Sequence, residues 1–447
     1  MDGAGNGIPP RKTRRSVASS DRKTVEMITD WLARCKGGRS ESGEYLTANV
    51  KLLRFVGMWN DFPRGSHAWR AYVCLTVFVL VAFVLHLATQ FAFPFAHIKD
   101  VGDATEGFNL TTVYVVTFLK MLTLLWRAGD VERLISALGR GVGCSCWREE
   151  EGILDEGSRS ADRLTRAFST LTAFGTAFFC LHAALTVAPT VAPCSARNSS
   201  SVDEHCLDAD RNLVYPAEFP FDTAGDSLGH VVALVFQLVG PGLFGNAVNL
   251  AADLLLVSLL IHLRARYRAL SYLLRGLDAR VGEMGGEVTS DLELHHDEGL
   301  RYRLLTEYIR RHQELYRLSA AMVNIFSPLL FMQCFFSSVS YCIILFHLTM
   351  VSDDSVHLLK NALFLLTHMG QLLLFCWFGT QIYEESLSVM HAAYDTSWLR
   401  SSPRFKSSVL LIICRAQKPV LLTGFQVYLV NLETFTSVSA RHWLAYL

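Results

Sequence analysis

Residues 72–93 read YVCLTVFVLVAFVLHLATQFAF, a stretch without a single Asp, Glu, Lys or Arg. A helix rises about 1.5 Å per residue, so about 20 apolar residues cross a hydrocarbon core of about 30 Å. This stretch is long enough to do so. The rest of the chain follows the same pattern. Of 447 residues, 51% are apolar and only 18% charged, with a mean hydropathy of +0.27. Soluble domains carry roughly 25% charged residues, so the chain lacks the surface that water would require. With 28 Phe against 12 Pro and 30 Gly, it is neither collagen-like nor disordered. A net charge of zero argues against a nucleic-acid partner. The expected solvent is a lipid bilayer.

Working outward, further runs appear at 110–126, 167–191, 227–263, 327–351 and 358–383. The second contains Lys120, placed near one membrane face and expected to snorkel to it. The fourth contains only Asp253 and spans about 50 Å as a helix, so it must tilt or bend, with Pro241-Gly242 a natural hinge. A seventh region, 409–447, is interrupted at Lys418-Pro419 and reads as two helices joined by a kink, because proline lacks a helix donor.

Positive charge orients these spans. Lys and Arg number 13 before the first span, then 7, 10 and 5 in the alternate loops 127–166, 264–317 and 384–418. The intervening stretches hold 1, 2 and 1, the last being Lys360 at the start of the sixth run. The asymmetry places the N-terminus in the cytosol and the C-terminus outside. The sequons at Asn109 and Asn198 fall in outer loops, as glycan acceptors must. Cys194 and Cys206 share one outer loop and are candidates for a disulfide. Residues 1–30 lack the apolar core of a secretory leader. A cytosolic N-terminus disfavours a G-protein-coupled receptor.

The fold expected is therefore an all-α membrane protein of seven spans, the last broken in two. Residues 1–70 form a cytosolic N-terminal segment. The first six helices occupy 71–383, followed by a cytosolic region at 384–418 and a terminal polar helix at 419–447. His295-His296-Asp297-Glu298 lies in a charged stretch and reads as solvated surface, so no metal is expected. Cys144-x-Cys146 lacks a second ligand pair. No GxSxG, HExxH or Walker A sequence occurs, and neither an enzyme nor a cofactor is expected.

Polar residues inside spans are the informative ones, because lipid penalises them. His182, His230, Gln237, His368 and Gln371, with the aromatics Tyr114, Phe118, Phe178, Phe179 and Phe364 and with Thr112, suit a pocket for a small, mostly apolar ligand. Interhelical hydrogen bonding explains the same residues without a ligand. Asn431, Glu433, Thr434 and Ser437 make the terminal helix too polar to face lipid on all sides, which fits a pore lining.

The C-terminal third resembles the insect odorant receptor family. The resemblance rests on Cys376-Trp377-Phe378-Gly379, Glu384-Glu385-Ser386, Ala392-Ala393-Tyr394-Asp395, Ser397-Trp398, Ile412 to Pro419 and Leu432-Glu433-Thr434-Phe435-Thr436. The outer segment Tyr215 to Asp222 is similar to that family's loop before the fourth span. The resemblance implies a tetrameric ligand-gated cation channel of the plasma membrane in olfactory sensory neuron dendrites. It implies a volatile odorant as ligand and a tuning subunit assembled with a shared co-receptor in a heterotetramer. Tyr394, Trp398, Gln417, Lys418 and Pro419 would belong to a cytosolic anchor between subunits. Arg441 and His442 depart from the uncharged residues typical of the family's last helix. A gustatory-type channel and a membrane transporter are the alternatives. The former lacks its expected C-terminal pattern and the latter lacks internal repeats.

Overall fold

The computed structural model describes residues 46–139, 148–187, 213, 215–221, 223, 227–285, 291–350 and 355–437. Asn198, Cys194, Cys206, Arg441 and His442 lie outside them, as do the side chains of Phe178, Phe179 and His182. The described chain is a helical bundle: α1 (Thr47–Phe55), α2 (His67–Ala96), α3 (Val101–Trp126), α4 (Ala128–Gly139), α5 (Arg148–Val187), α6 (Ser227–Gln237), α7 (Asn246–Arg275), α8 (Leu277–Gly285), α9 (Asp291–Met350), α10 (Ser355–Tyr394) and α11 (Pro403–Ala416). Among the described residues, five helical stretches are long and apolar enough to cross a membrane. The chain is an all-α multi-pass membrane protein.

Local chemistry sets the helix starts. Ser66 caps α2, its side chain accepting from Trp69 N at 3.1 Å. Asp100 caps α3, accepting from Gly102 N at 3.0 Å and Asp103 N at 3.3 Å. That cap puts Asn109 inside α3, where it is 7% exposed. A buried helical Asn offers no face to a glycan, so the expectation at Asn109 is corrected. The span begins nine residues earlier than its apolar run because a good cap extends a helix through polar residues.

The fourth span bends where Pro241-Gly242 predicts. A π-helical segment, Leu238–Gly245, joins α6 to α7. Proline cannot donate to the preceding turn, and the wider turn accommodates its ring. A side chain at 242 would press on the Gln237 carbonyl, so glycine suits this turn. The Gly242 carbonyl accepts from Asn246 Nδ2 at 2.8 Å.

From there α7 runs through the centre of the bundle against α5, α9 and α10. Val248, Ala251, Val257 and Leu259 have no exposed surface. Asn49 of α1 donates to Ser258 on α7 at 2.5 Å and to Thr165 on α5 at 3.1 Å. The arginine-rich ends of the helices are tied by Arg311–Glu150 at 2.6 Å and Arg301–Asp278 at 2.8 Å. Burial raises the Glu150 pKa, and the Arg311 guanidinium opposes that rise.

The seventh region departs from expectation. The interruption at Lys418-Pro419 is a two-stranded antiparallel hairpin rather than a kink. Its strands are β1 (Thr423–Gly424) and β2 (Tyr428–Leu429), with Thr423 opposite Leu429. Phe425 and Gln426 turn the chain at φ 48° and 61°, a region that disfavours most side chains. The turn holds because Phe425 N donates to Ser327 Oγ at 2.7 Å and the Phe425 ring lies 5.3 Å from Phe331. Helix resumes only at 432–437. Residues 420–431, expected as helix, instead form this link between α11 and the terminal helix.

Candidate ligand site

Two charges inside spans come together. The Lys120 ammonium on α3 lies 2.7 Å from Asp253 Oδ1 on α7 and donates to Asn249 Oδ1 at 2.8 Å. Its side chain is only 3% exposed, so Lys120 does not snorkel. An opposite charge within reach inside the bundle satisfies it better than a bent path to the membrane face. The same carboxylate accepts from Gln371 Nε2 of α10 through Oδ2. Gln371 Oε1 in turn accepts from Gln333 Nε2 of α9 at 3.3 Å, and that amide also donates to Ser337 Oγ at 3.0 Å. Four helices thus meet in one chain of hydrogen bonds.

Two small cavities flank this chain. The inner one, about 10 Å³, is lined by Lys120, Asp253, Gln333 and apolar side chains. The outer one, about 20 Å³, is lined by Thr112, Asn249, Gln333, Ser337, Ser340, His368 and Gln371 among others. Each is about the size of one water, so a larger ligand has to part the helices. Of the pocket residues expected from sequence, Thr112, His368 and Gln371 line the outer cavity. His368 is oriented by its Nδ1, 3.0 Å from the Phe364 carbonyl, and by the Phe364 ring at 4.2 Å.

Others gather in a different cluster, beneath residues 215–221. Tyr114 meets His86 edge-on at 4.4 Å and Tyr215 at 5.8 Å. Gln237 accepts from Tyr215 N at 3.1 Å and donates to its carbonyl at 2.8 Å, as a neighbouring strand would. Gln90 donates to the Pro216 carbonyl at 2.7 Å. Phe118 stacks on Phe83 at 6.2 Å, and His230 is buried away from both cavities. Tyr114 and Gln237 therefore support the docked segment at 215–221, Phe118 packs on α2, and none of the three lines either of these two cavities.

Asn249, Gln333, Ser337 and Ser340 were missed. One signal could have found the core of the site: Lys120 and Asp253 are each the lone charge of their run, and lone charges in lipid seek each other.

The motifs near the end have structural work to do. A side chain at Gly379 would collide with the Val430 carbonyl, so α10 and the hairpin exit approach closely only through glycine. Ser386 Oγ accepts from Val420 N at 2.9 Å, just past Pro419. Tyr394 and Trp398 pack edge-on at 6.3 Å, with Tyr394 65% exposed in the single chain. Gln417 N and Lys418 N donate back to Ile413 and Arg415 carbonyls, closing α11. Asn431 caps the terminal helix, accepting from Thr434 N at 2.8 Å, and Leu432 N donates to Thr380 Oγ1 of α10 at 3.0 Å. Glu433 stands in that helix's first turn, where negative charge is favoured. The Ser437 hydroxyl donates to the Thr434 carbonyl at 3.0 Å.

The described residues form a multi-pass helical membrane bundle with a polar hydrogen-bonded chain at its centre. The family model of the 7tm odorant receptors matches residues 100–440, and the chain belongs to that family. It is 25% identical to odorant receptor 2a of Drosophila melanogaster over 85% of this chain and 95% of that protein. It is 30% identical to the odorant receptor coreceptor of Anopheles gambiae over a shorter stretch, 29% of this chain and 27% of that one. The olfactory receptor OR5 from Machilis hrabei in complex with eugenol shares the fold. The TM-score is 0.68 at 18% identity, over 91% of this chain and 97% of that one.

Proposed function

We propose that the chain is an odorant-gated, non-selective cation channel subunit that assembles with the shared co-receptor as a tuning subunit. In this reading seven spans cross the plasma membrane of an olfactory neuron dendrite, with the N-terminus cytosolic and the C-terminus outside. A volatile odorant enters the cavity between α3, α7, α9 and α10. The terminal helix from Asn431 through Ser437 lines the pore, and Tyr394, Trp398 and the Gln417-Lys418-Pro419 turn join the anchor between subunits. The observation that carries the reading is the polar-lined cavity, whose walls α9 and α10 are also the helices that hold the hairpin and the start of the terminal helix, through Ser327 and Thr380. Parting those walls pulls on the pore element. A ligand opens the channel only through its preference for the open form, and a 100-fold preference is about 2.7 kcal/mol, within reach of burying a small apolar molecule.

The test is whole-cell current under an odorant panel, with the chain expressed alone and with the insect co-receptor. Current that requires both is expected. His368→Ala is expected to shift responses about tenfold, the range of one lost hydrogen-bonding or packing group, at unchanged surface level. Receptor at the surface with no current under either condition would refute the channel reading.

A further inference from the structure

Resting on the ligand site proposed above, we infer that its ligands are hydroxyl-bearing volatiles, recognised by the side-chain carbonyl of Gln333 whose direction is set by the Lys120–Asp253 pair.

The inference follows from which groups can donate. An ammonium only donates, and a carboxylate held against it only accepts. Asp253 Oδ1 faces Lys120, so Oδ2 requires a donor, and Gln371 must present its Nε2. That leaves Gln371 Oε1 facing α9 as an acceptor. Gln333 must then present its own Nε2, as it does at 3.3 Å. The orientation of a side-chain amide is normally an assignment from its neighbours. Here a pair of charges dictates it across two amides in succession. The chain ends at Gln333 Oε1, which is buried and has no hydrogen-bond partner among the described residues. Gln333 is 5% exposed and lines both cavities.

The Asn249 side chain is fixed by the same ammonium. Its Oδ1 accepts from Lys120, which leaves its amide N–H groups as the donors it offers to the outer cavity. The cavity therefore presents an obligate acceptor and an obligate donor. A hydroxyl can satisfy either, donating to the Gln333 carbonyl or accepting from the Asn249 amide. Ethers, esters and ketones accept only, and would leave the Gln333 carbonyl orphaned. Hydrocarbons satisfy neither. An unmade bond to a buried acceptor forfeits about tenfold in affinity or more.

Heptanol, hexyl methyl ether and octane, equal in heavy-atom count, are the probes. Two readouts separate this inference from the channel reading: current from cells co-expressing the co-receptor, and thermal stabilisation of the purified receptor complex. Heptanol is expected to act at about tenfold lower concentration than the ether in both. Gln333→Leu is expected to erase that gap. A hydroxyl-selective thermal shift without current would refute the channel reading and support this inference. Current with equal potency for heptanol and the ether in the unaltered protein would overturn the inference and leave the channel reading intact. A gap that survives Gln333→Leu would also overturn it. No stabilisation by any probe and no current would overturn both. If the Leu variant does not reach the surface, the alcohol-to-ether comparison in the unaltered protein still decides.

Discussion

The first and fourth spans make an instructive pair. In α2, 17% of the most apolar window is buried within the protein, whereas in the stretch from Leu228 to Arg275 the figure is 72%. The first is the more apolar of the two, although it lies at the periphery. In water the most apolar helix would be the core. In a bilayer lipid is as apolar as leucine, so hydrophobicity selects for contact with lipid and no longer marks the centre. What marks the centre is small and polar residues that only neighbouring helices can satisfy. α7 holds Asp253, Ser258, Asn249 and Ala251, while α2 turns Val77, Phe78, Val81, Val84 and Leu85 outward.

The strongest way to break that contrast is to remove one partner of the central ion pair. Asp253→Leu is expected to destabilise the receptor by about 3–5 kcal/mol, because an unpaired Lys120 remains buried. Adding Lys120→Leu is expected to restore most of that loss. The midpoint of thermal unfolding of detergent-solubilised receptor checks both. A double variant as unstable as the single would show that the pair is not the source of the effect. A smaller effect is expected from Leu259→Ala in α7, about 2–3 kcal/mol, since the residue has no exposed surface and leaves a cavity. The same truncation in α2, Leu85→Ala, is expected to change stability by no more than about 0.5 kcal/mol, because that side chain is 53% exposed and lipid replaces it. Equal unfolding midpoints for these two alanine variants would erase the distinction between a lipid-facing and a central helix.

The spans were legible because the bilayer imposes one length and one composition on every crossing. Even the bend at Pro241-Gly242 could be read, since proline has one effect on a helix wherever it stands. Pairing was harder. Lys120 and Asp253 lie 133 residues apart, and nothing local joins them. The hairpin after Pro419 was hidden for a different reason. Its turn uses Phe425 and Gln426 at positive φ, where Asn-Gly would have announced it, and contacts from Ser327 and Phe331 hold it there. The pocket was half legible. Thr112, His368 and Gln371 were found, but Tyr114 and Gln237 looked the same in sequence and proved to dock the segment at Tyr215 instead. A polar residue in a span announces that it has a partner, without saying whether the partner is ligand or protein.

The central ion pair also imposes an order on biosynthesis. When α3 leaves the ribosome, Lys120 enters the translocon with no counter-charge. A lysine at the centre of a span opposes insertion by about 2.5–3.5 kcal/mol, and Lys120, in the last third of α3, bears part of that cost. Asp253 is 133 residues behind it, which at ribosomal speed is on the order of ten seconds. Throughout that interval the second span is the weakest committed segment of the nascent protein, held by its aliphatic flanks alone. The arrival of the fourth span is therefore a checkpoint in assembly. A chain altered at Asp253 is expected to be intercepted by the quality-control machinery of the endoplasmic reticulum before any odorant could test it.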